Sequence, residues 1–167
     1  AHWLASTKDY SVHLIDVNKP KDINNTAIQF HSLDVKDKAA LSAYIKKHHI
    51  IALISTLPYF CNIALASAAD EHKIAYFDPT EDTATVAKIR QLAERNNATY
   101  VPQCGLAPGY INIIANSYIQ EFKQVSKVKL RCGALPTNTS NALHYAFTWS
   151  VEGLINEYIN PCEVLVD

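Results

Sequence analysis

The sequence predicts an alternating α/β fold, with a parallel sheet and helices on both of its faces. Three observations lead there. Short apolar runs recur along the chain, among them Ser11–Asp16, Ile50–Ser55 and Ile74–Asp78. The segments between them place apolar residues at helical spacing, and the connections are brief. A strand buried on both faces reads as a continuous apolar run, and parallel neighbours require a crossover, most often a helix.

The elements follow in order. Ala1–Thr7 reads as the tail of a helix. Ser11-Val12-His13-Leu14-Ile15-Asp16 is apolar and partly β-branched and closes on an acid, as a buried strand does. Ala27–Phe30 is a second short strand, followed by Leu33-Asp34-Val35. Asp37–Lys47 reads as a helix with Ala40, Leu41, Tyr44 and Ile45 on one face. Ile50–Ser55 is a nearly uniform apolar strand, and after Thr56-Leu57-Pro58 a helix of small residues runs from Tyr59 to Glu71. Ile74–Asp78 is again a strand, and Asp82–Asn96 an amphipathic helix with Val86, Ile89, Leu92 and Ala93 in phase. Thr99–Pro102 forms a further strand, and the turn Gly105–Gly109 feeds a helix over Tyr110–Phe122. The organisation changes near Ser126. Val128–Cys132 and Leu143–Trp149 read as strands of a different, antiparallel sheet, Ser150 caps a helix reaching Tyr158, and Cys162–Asp167 opens another strand. The expected division is 1–124 for the parallel-sheet domain and 125–167 for the start of a mixed α/β domain.

Composition narrows the classes of function. At 167 residues, 49% hydrophobic and 19% charged, the chain has the makings of an ordinary globular core. A net charge of -1 with scattered basic residues offers no electrostatic case for nucleic acid or an acidic membrane surface. No apolar run approaches the roughly 18 residues that span a bilayer, and Ala1–Ala5 lacks the regions of a signal peptide. A cytoplasmic protein is expected. Cys61, Cys104, Cys132 and Cys162 form no Cys-x-x-Cys pair, and the seven histidines show no ligand spacing, so reduced thiols and no metal are expected. Glycine occurs only four times, well below the usual ~7%, and the chain opens on a helix tail. Both features lead us to expect a first strand and a glycine loop upstream of Ala1.

In an open α/β sheet, ligands bind beyond the carboxyl ends of the strands. The residues to examine are therefore Asp16, Asp34, Ser55–Tyr59, Asp78 and Cys104–Gly109. Asp16 can accept hydrogen bonds from an adenosine ribose diol, or can simply close its own turn. The Ser55-Thr56-Leu57-Pro58 turn suits contacts to a ribose, and Tyr59 either carries a phenol into the cleft or packs on the sheet edge. Asp78, before Pro79, either faces the cleft or makes an Asx turn opening the next helix. Cys104 precedes Gly105-Leu106-Ala107-Pro108-Gly109, where glycine permits close backbone approach to a ligand; a lone cysteine is more often inert packing.

Taken in order, several stretches resemble the saccharopine dehydrogenase family. They are Leu57-Pro58-Tyr59, Phe77-Asp78, the run from Cys104 to Asn112, Gly133-Ala134-Leu135-Pro136, and the run from Trp149 to Tyr158. The Cys-Gly-Leu-Ala-Pro-Gly form and the Ser150–Tyr158 helix are most similar to lysine 6-dehydrogenase-like members, and the resemblance extends from Val12 to Asp167. It implies a Rossmann domain followed by a mixed α/β domain whose sheet helps to form a homodimer and the substrate cleft. It also implies oxidation of a carbon–nitrogen bond of an amino acid of the lysine or saccharopine type, with hydride passing to a nicotinamide. By the same resemblance, Asp16 holds the adenosine ribose and Asp34 and Val35 border the adenine. Thr56, Leu57 and Pro58 flank the cofactor, while Tyr59, Asp78 and Cys104 line the reacting centre. Tyr145, Trp149 and Glu152 face the amino-acid substrate. The chain departs from the pattern in two places. The glycine fingerprint is absent from these residues, and Pro79-Thr80-Glu81-Asp82 stands where lysine 6-dehydrogenases tend to be glycine-rich. A carboxylate at Asp16 accepts from a ribose 2′-hydroxyl and repels a 2′-phosphate, so NAD is expected over NADP, although Lys19 and Lys21 soften the discrimination. The alternative is a non-catalytic Rossmann-fold nucleotide-binding sensor or scaffold, which has no need of polar groups converging at Tyr59, Asp78 and Cys104.

Overall fold

The computed structural model describes residues 1–21, 26–138, 141–142, 144–147 and 150–161. The chain forms two compact units, 1–50 and 51–167. The first contains α1 (His2–Thr7), β1 (Val12–Asp16), β2 (Ile28–Ser32) and α2 (Lys38–Lys47). β1 and β2 pair in parallel, from Val12 opposite Ile28 to Asp16 opposite Ser32. Ala5, Val12 and Ile28 form a buried cluster on which Leu4 and Leu14 pack. Leu41, Tyr44 and Ile45 are the buried stripe of α2, three of the four positions read from the helical period. The Asp37 side chain caps this helix by accepting from the Ala40 N–H at 3.0 Å. Tyr44 lies among imidazoles: its hydroxyl pairs with His13 Nδ1 at 2.7 Å, and its ring meets His31 and His48 at centroid separations of 4.6 and 4.2 Å.

The second unit carries β3 (Ala52–Ile54), a 3-10 turn (Tyr59–Cys61), α3 (Asn62–His72), β4 (Ala75–Phe77), α4 (Thr83–Arg95), β5 (Tyr100–Val101), α5 (Tyr110–Ile119) and α6 (Val151–Ile159). β3, β4 and β5 lie side by side in that order and all run parallel. Three parallel strands put their carboxyl ends on one edge, and that edge is where the site is built. α3 buries Leu65, Ala66 and Ala69, and its alanines let the helix backbone approach closely. α4 buries Thr85, Ile89 and Leu92; of the four positions read from the helical period, Ile89 and Leu92 are buried and Val86 and Ala93 are half-buried. Tyr76, at the centre of β4, is fully buried.

The fold is the expected mixed α/β class with parallel sheets. Several local expectations differ. β2 runs on to Ser32, past the expected end at Phe30; the Leu33 N–H then reaches the Asp16 carbonyl, and the chain turns through Asp34 toward α2. Val128–Cys132 has no ladder partner among the described residues and is irregular, with Val128 and Leu130 exposed. Apolar alternation favours a strand only when a neighbour supplies the hydrogen bonds. Residues 144–147 are likewise irregular, and the expected strand at Cys162–Asp167 lies outside the described residues. No helix among the described residues is long and apolar enough to cross a membrane.

Candidate active site at the carboxyl edge of the second sheet

Asp78 follows β4 directly and is completely buried. Its backbone is fixed twice, by its N–H donating to the Val101 carbonyl and by its carbonyl accepting from the Cys104 N–H at 2.9 Å. The Cys104 thiol donates to that same carbonyl at 3.2 Å. The structure thus brings Asp78 and Cys104 together, as ends of adjacent parallel strands must come together. One carboxylate oxygen of Asp78 accepts from the Thr80 N–H at 2.7 Å, which is the Asx turn, while Oδ2 has no hydrogen-bond partner among the described residues. Burial pushes the Asp78 carboxyl above the usual range, against the opposing pull of the Thr80 N–H and the Tyr76 hydroxyl. Cys104 is exposed on its turn, yet atoms packed beneath the sulfur push the thiol up, and the Asp78 carboxyl adds to this. Both groups are therefore biased toward keeping a proton.

The turn after Cys104 explains its glycines. Gly109 has φ +128, and a Cβ there would come within 2.5 Å of the Gly105 carbonyl oxygen and 2.7 Å of the Gln103 carbonyl oxygen. No L side chain fits. A Cβ on Gly105 would press on the Pro79 ring at 3.0 Å, so this glycine lets the segments after β4 and β5 touch.

Thr56, Leu57 and Pro58 follow β3 at the same edge, with Thr56 exposed and the other two half-buried. Tyr59 opens the 3-10 turn, half-buried, its ring edge-to-face with Phe60. It shares the edge with Asp78 and Cys104, without a hydrogen bond to either among those described. In the first unit, Asp16 accepts from the Asn18 N–H at 2.8 Å, and exposed Asp34 accepts from the Lys36 N–H at 2.9 Å. The bond from Leu33 N–H to Asp16 carbonyl draws these two strand ends together, with half-buried Val35 beside them. Tyr145 is half-buried and exchanges hydrogen bonds with Asn141. Glu152 is exposed in the first turn of α6 and accepts from the Ser150 hydroxyl at 3.1 Å. Trp149 lies outside the described residues.

Sequence reasoning pointed to Ser55 but missed three further buried polar residues. Ser55, Asn62, Asp82 and Asn156 are buried, and Asn156 Nδ2 donates to Asp82 Oδ1 at 3.1 Å across 74 positions of sequence. Burial raises the Asp82 carboxyl, but bonds from Thr85 and Asn156 outweigh it and hold the group below the usual range. The neighbouring Glu81 goes the other way: burial and the adjacent Glu157 carboxyl push it up to about 7. A signal was available for Asn62, which falls in phase with Leu65, Ala66 and Ala69 on the buried face of α3. Among the described residues, no cluster of His, Cys, Asp and Glu could hold a metal ion.

Parallel β-α-β units with polar groups gathered past the strand ends define a Rossmann-type α/β protein. The chain belongs to the saccharopine dehydrogenase family: residues 1–103 match its "Saccharopine dehydrogenase NADP binding domain" and residues 105–167 its "Saccharopine dehydrogenase C-terminal domain". It is 31% identical over 130 residues to a protein of Pyricularia oryzae named saccharopine dehydrogenase (NADP(+), L-glutamate-forming), a match covering 74% of this chain and 28% of that one. A protein of the same name from Schizosaccharomyces pombe is 28% identical over 74% of this chain and 28% of its own length. The mitochondrial alpha-aminoadipic semialdehyde synthase of Mus musculus is 25% identical over 79% of this chain and 15% of its own. Among solved structures, the apo histidine-tagged saccharopine dehydrogenase (L-Glu forming) of Saccharomyces cerevisiae superposes with a TM-score of 0.71 at 23% identity. That match covers 92% of this chain and 36% of the other, and shows a shared fold. The matches thus cover 28% of the Pyricularia and Schizosaccharomyces proteins and 36% of the Saccharomyces chain, so the chain spans well under two thirds of the length of these relatives.

These matches correct the expectation that NAD is preferred. The family domain is an NADP-binding one, and the Pyricularia and Schizosaccharomyces relatives are named for NADP(+). The argument for NAD took the Asp16 carboxylate as free to read a ribose. In the structure one of its oxygens closes the turn through Asn18, with exposed Lys19 and Lys21 following. A strand-ending acid engaged in its own turn does not by itself exclude a 2′-phosphate, because nearby lysines can offset its charge.

Proposed function

We propose that the protein carrying this chain is an NADP-dependent oxidoreductase acting on the carbon–nitrogen bond of an amino acid of the saccharopine or lysine type. The observation that carries this reading is the pairing of fully buried Asp78 with the Cys104 thiol at the carboxyl edge of the sheet. NADP, when bound, supplies the hydride acceptor. Lys19 and Lys21 would meet its 2′-phosphate, Asp34 and Val35 would border the adenine, and Thr56, Leu57 and Pro58 would flank the dinucleotide. The residues of this chain then handle protons. An amine must lose a proton before its carbon gives up hydride, and the water that later attacks the imine must lose one too. Asp78, whose carboxyl burial raises above the usual range, is suited to take and return that proton, while the Cys104 thiol, held in its neutral form, stands beside it as a hydrogen-bond donor. Tyr59 brings a third proton-bearing group, a phenol, to the same edge. Tyr145, Trp149 and Glu152 are proposed to face the amino acid, with the change to the substrate-binding part near residue 124.

The test is steady-state kinetics followed by NADPH absorbance, with saccharopine and lysine among the amino acids tried. Asp78→Asn and Cys104→Ser should each lower kcat/KM by roughly 10²–10⁴-fold, with NADP affinity near that of the unsubstituted protein. Unchanged rates in both variants would remove these residues from the reacting centre. Nucleotide binding without turnover of any amino acid would favour a sensor or scaffold.

A further inference from the structure

Asn62 is the first residue of α3 and is 1% exposed. Its Oδ1 accepts from the Ser55 hydroxyl at 2.6 Å, and Ser55, also 1% exposed, accepts in turn from the Leu57 N–H at 3.4 Å. The Ser55 N–H donates to the Phe77 carbonyl, so this serine is anchored to β4 as well. The backbone carbonyl of Asn62 accepts from the Tyr76 hydroxyl at 3.4 Å. Tyr76 and Asp78 are two residues apart along one extended segment, so their side chains leave on the same face and the phenol and the carboxyl are neighbours there. Ser55 and Asn62 therefore bracket the segment from Thr56 to Cys61, and Tyr76 links that bracket to Asp78. The Asn62 Nδ2 and the Asp78 Oδ2 are buried without a hydrogen-bond partner among the described residues. A core optimised for stability alone does not keep such groups, since leaving them unmet is costly.

We infer that Ser55, Asn62 and Tyr76 form a buried positioning chain that holds the Thr56–Tyr59 loop against the cofactor and couples it to Asp78. This rests on the reading above that Asp78 stands at the reacting centre. The two ends of the chain have separable effects. Loss of the Ser55 hydroxyl frees the loop while Asp78 keeps its surroundings. Loss of the Tyr76 hydroxyl leaves the loop bracketed, and removes from Asp78 an interaction that favours its charged form.

The experiment compares Ser55→Ala, Ser55→Thr and Tyr76→Phe in the full protein, with Leu65→Ala as a control for α3 packing. Ser55→Ala should raise the KM for NADP about tenfold, equivalent to one neutral hydrogen bond, with a smaller change in kcat. Ser55→Thr, which keeps a hydroxyl, should restore it. Tyr76→Phe should shift the Asp78-dependent limb of the pH–rate profile upward without moving the KM for NADP. Leu65→Ala should lower Tm and leave both readouts unchanged. If Asp78→Asn is slow but neither the Ser55→Ala nor the Tyr76→Phe change is seen, the positioning chain is overturned and the assignment of Asp78 stands. If Asp78→Asn is as fast as the unsubstituted protein, the assignment of Asp78 fails, and the coupling to Tyr76 fails with it.

Discussion

Asp16 and Asp78 end parallel strands in the same way, and each accepts from a backbone N–H two residues on. Burial separates their chemistry. Asp78 is enclosed and biased toward its acid form, whereas Asp16 is partly open to water and its immediate sequence is basic. Both positions were readable in the sequence, because strand-ending acids stand out after apolar runs. Their difference was not, because enclosure of a carboxyl depends on what packs over it: Tyr76 from its own strand and the Cys104 turn from the next. The same limit explains the cofactor correction. A carboxylate at the end of a strand suggested ribose recognition, but its hydrogen-bond state could not be read from a string of residues. For Lys19 and Lys21 the expectation is now concrete. Lys19→Ala with Lys21→Ala should weaken NADP more than NAD, by about tenfold in KM, the scale of one charge-assisted contact in a partly solvated site. Titration of both cofactors, repeated at high salt, checks it. Equal losses for the two cofactors would place the 2′-phosphate elsewhere.

At the scale of elements, the strands and helices around the sheet were readable because each carries its own period. β3 and β4 are apolar throughout, and α4 repeats its stripe without a break. What could not be read was partnership across long separations. Val128–Cys132 has the composition of a strand but no described neighbour to pair with. Conversely, α6 was recognised as a helix from Ser150 onward, yet nothing in its sequence revealed that Asn156 bonds to the residue capping α4. Asp82 serves two helices at once: one oxygen caps α4 through the Thr85 N–H at 2.7 Å, and the other receives Asn156. Asp82→Ala and Asn156→Ala should therefore be non-additive, with a coupling energy of about 0.5–3 kcal/mol in a denaturation double-mutant cycle. Additive losses would mean that the buried bond contributes nothing to stability. The Glu81–Glu157 pair adds a pH dependence to the same contact. Because the fold raises Glu81 from the ordinary value near 4.5 to about 7, the folded state holds the proton more tightly than the unfolded one. That stabilisation is present at acid pH and is lost as pH rises through about 7. Melting curves between pH 5 and 8 should show this loss, and Glu157→Gln should flatten it.

Across the whole molecule, the two units share one construction principle: strands in parallel, with helices buried along a single stripe. Each also encloses phenols. Tyr44 in the first unit and Tyr76 and Tyr100 in the second are all raised above the ordinary value of 10, with burial as the leading cause. The fold therefore favours the neutral phenol at these three of nine tyrosines. The stability they lend is intact below the ordinary value and is lost as alkali drives deprotonation of the unfolded chain. An ultraviolet titration turns this into an optical clock for the opening of the two units. Tyrosinate absorbance should rise in more than one wave, and the late wave, carrying Tyr44, Tyr76 and Tyr100, should coincide with loss of helical circular dichroism. Tyr76→Phe and Tyr44→Phe would each remove one phenol's absorbance from that wave, and so report which unit yields first to base. A single smooth wave that leaves the helical signal intact would mean that water reaches all three rings in the native state.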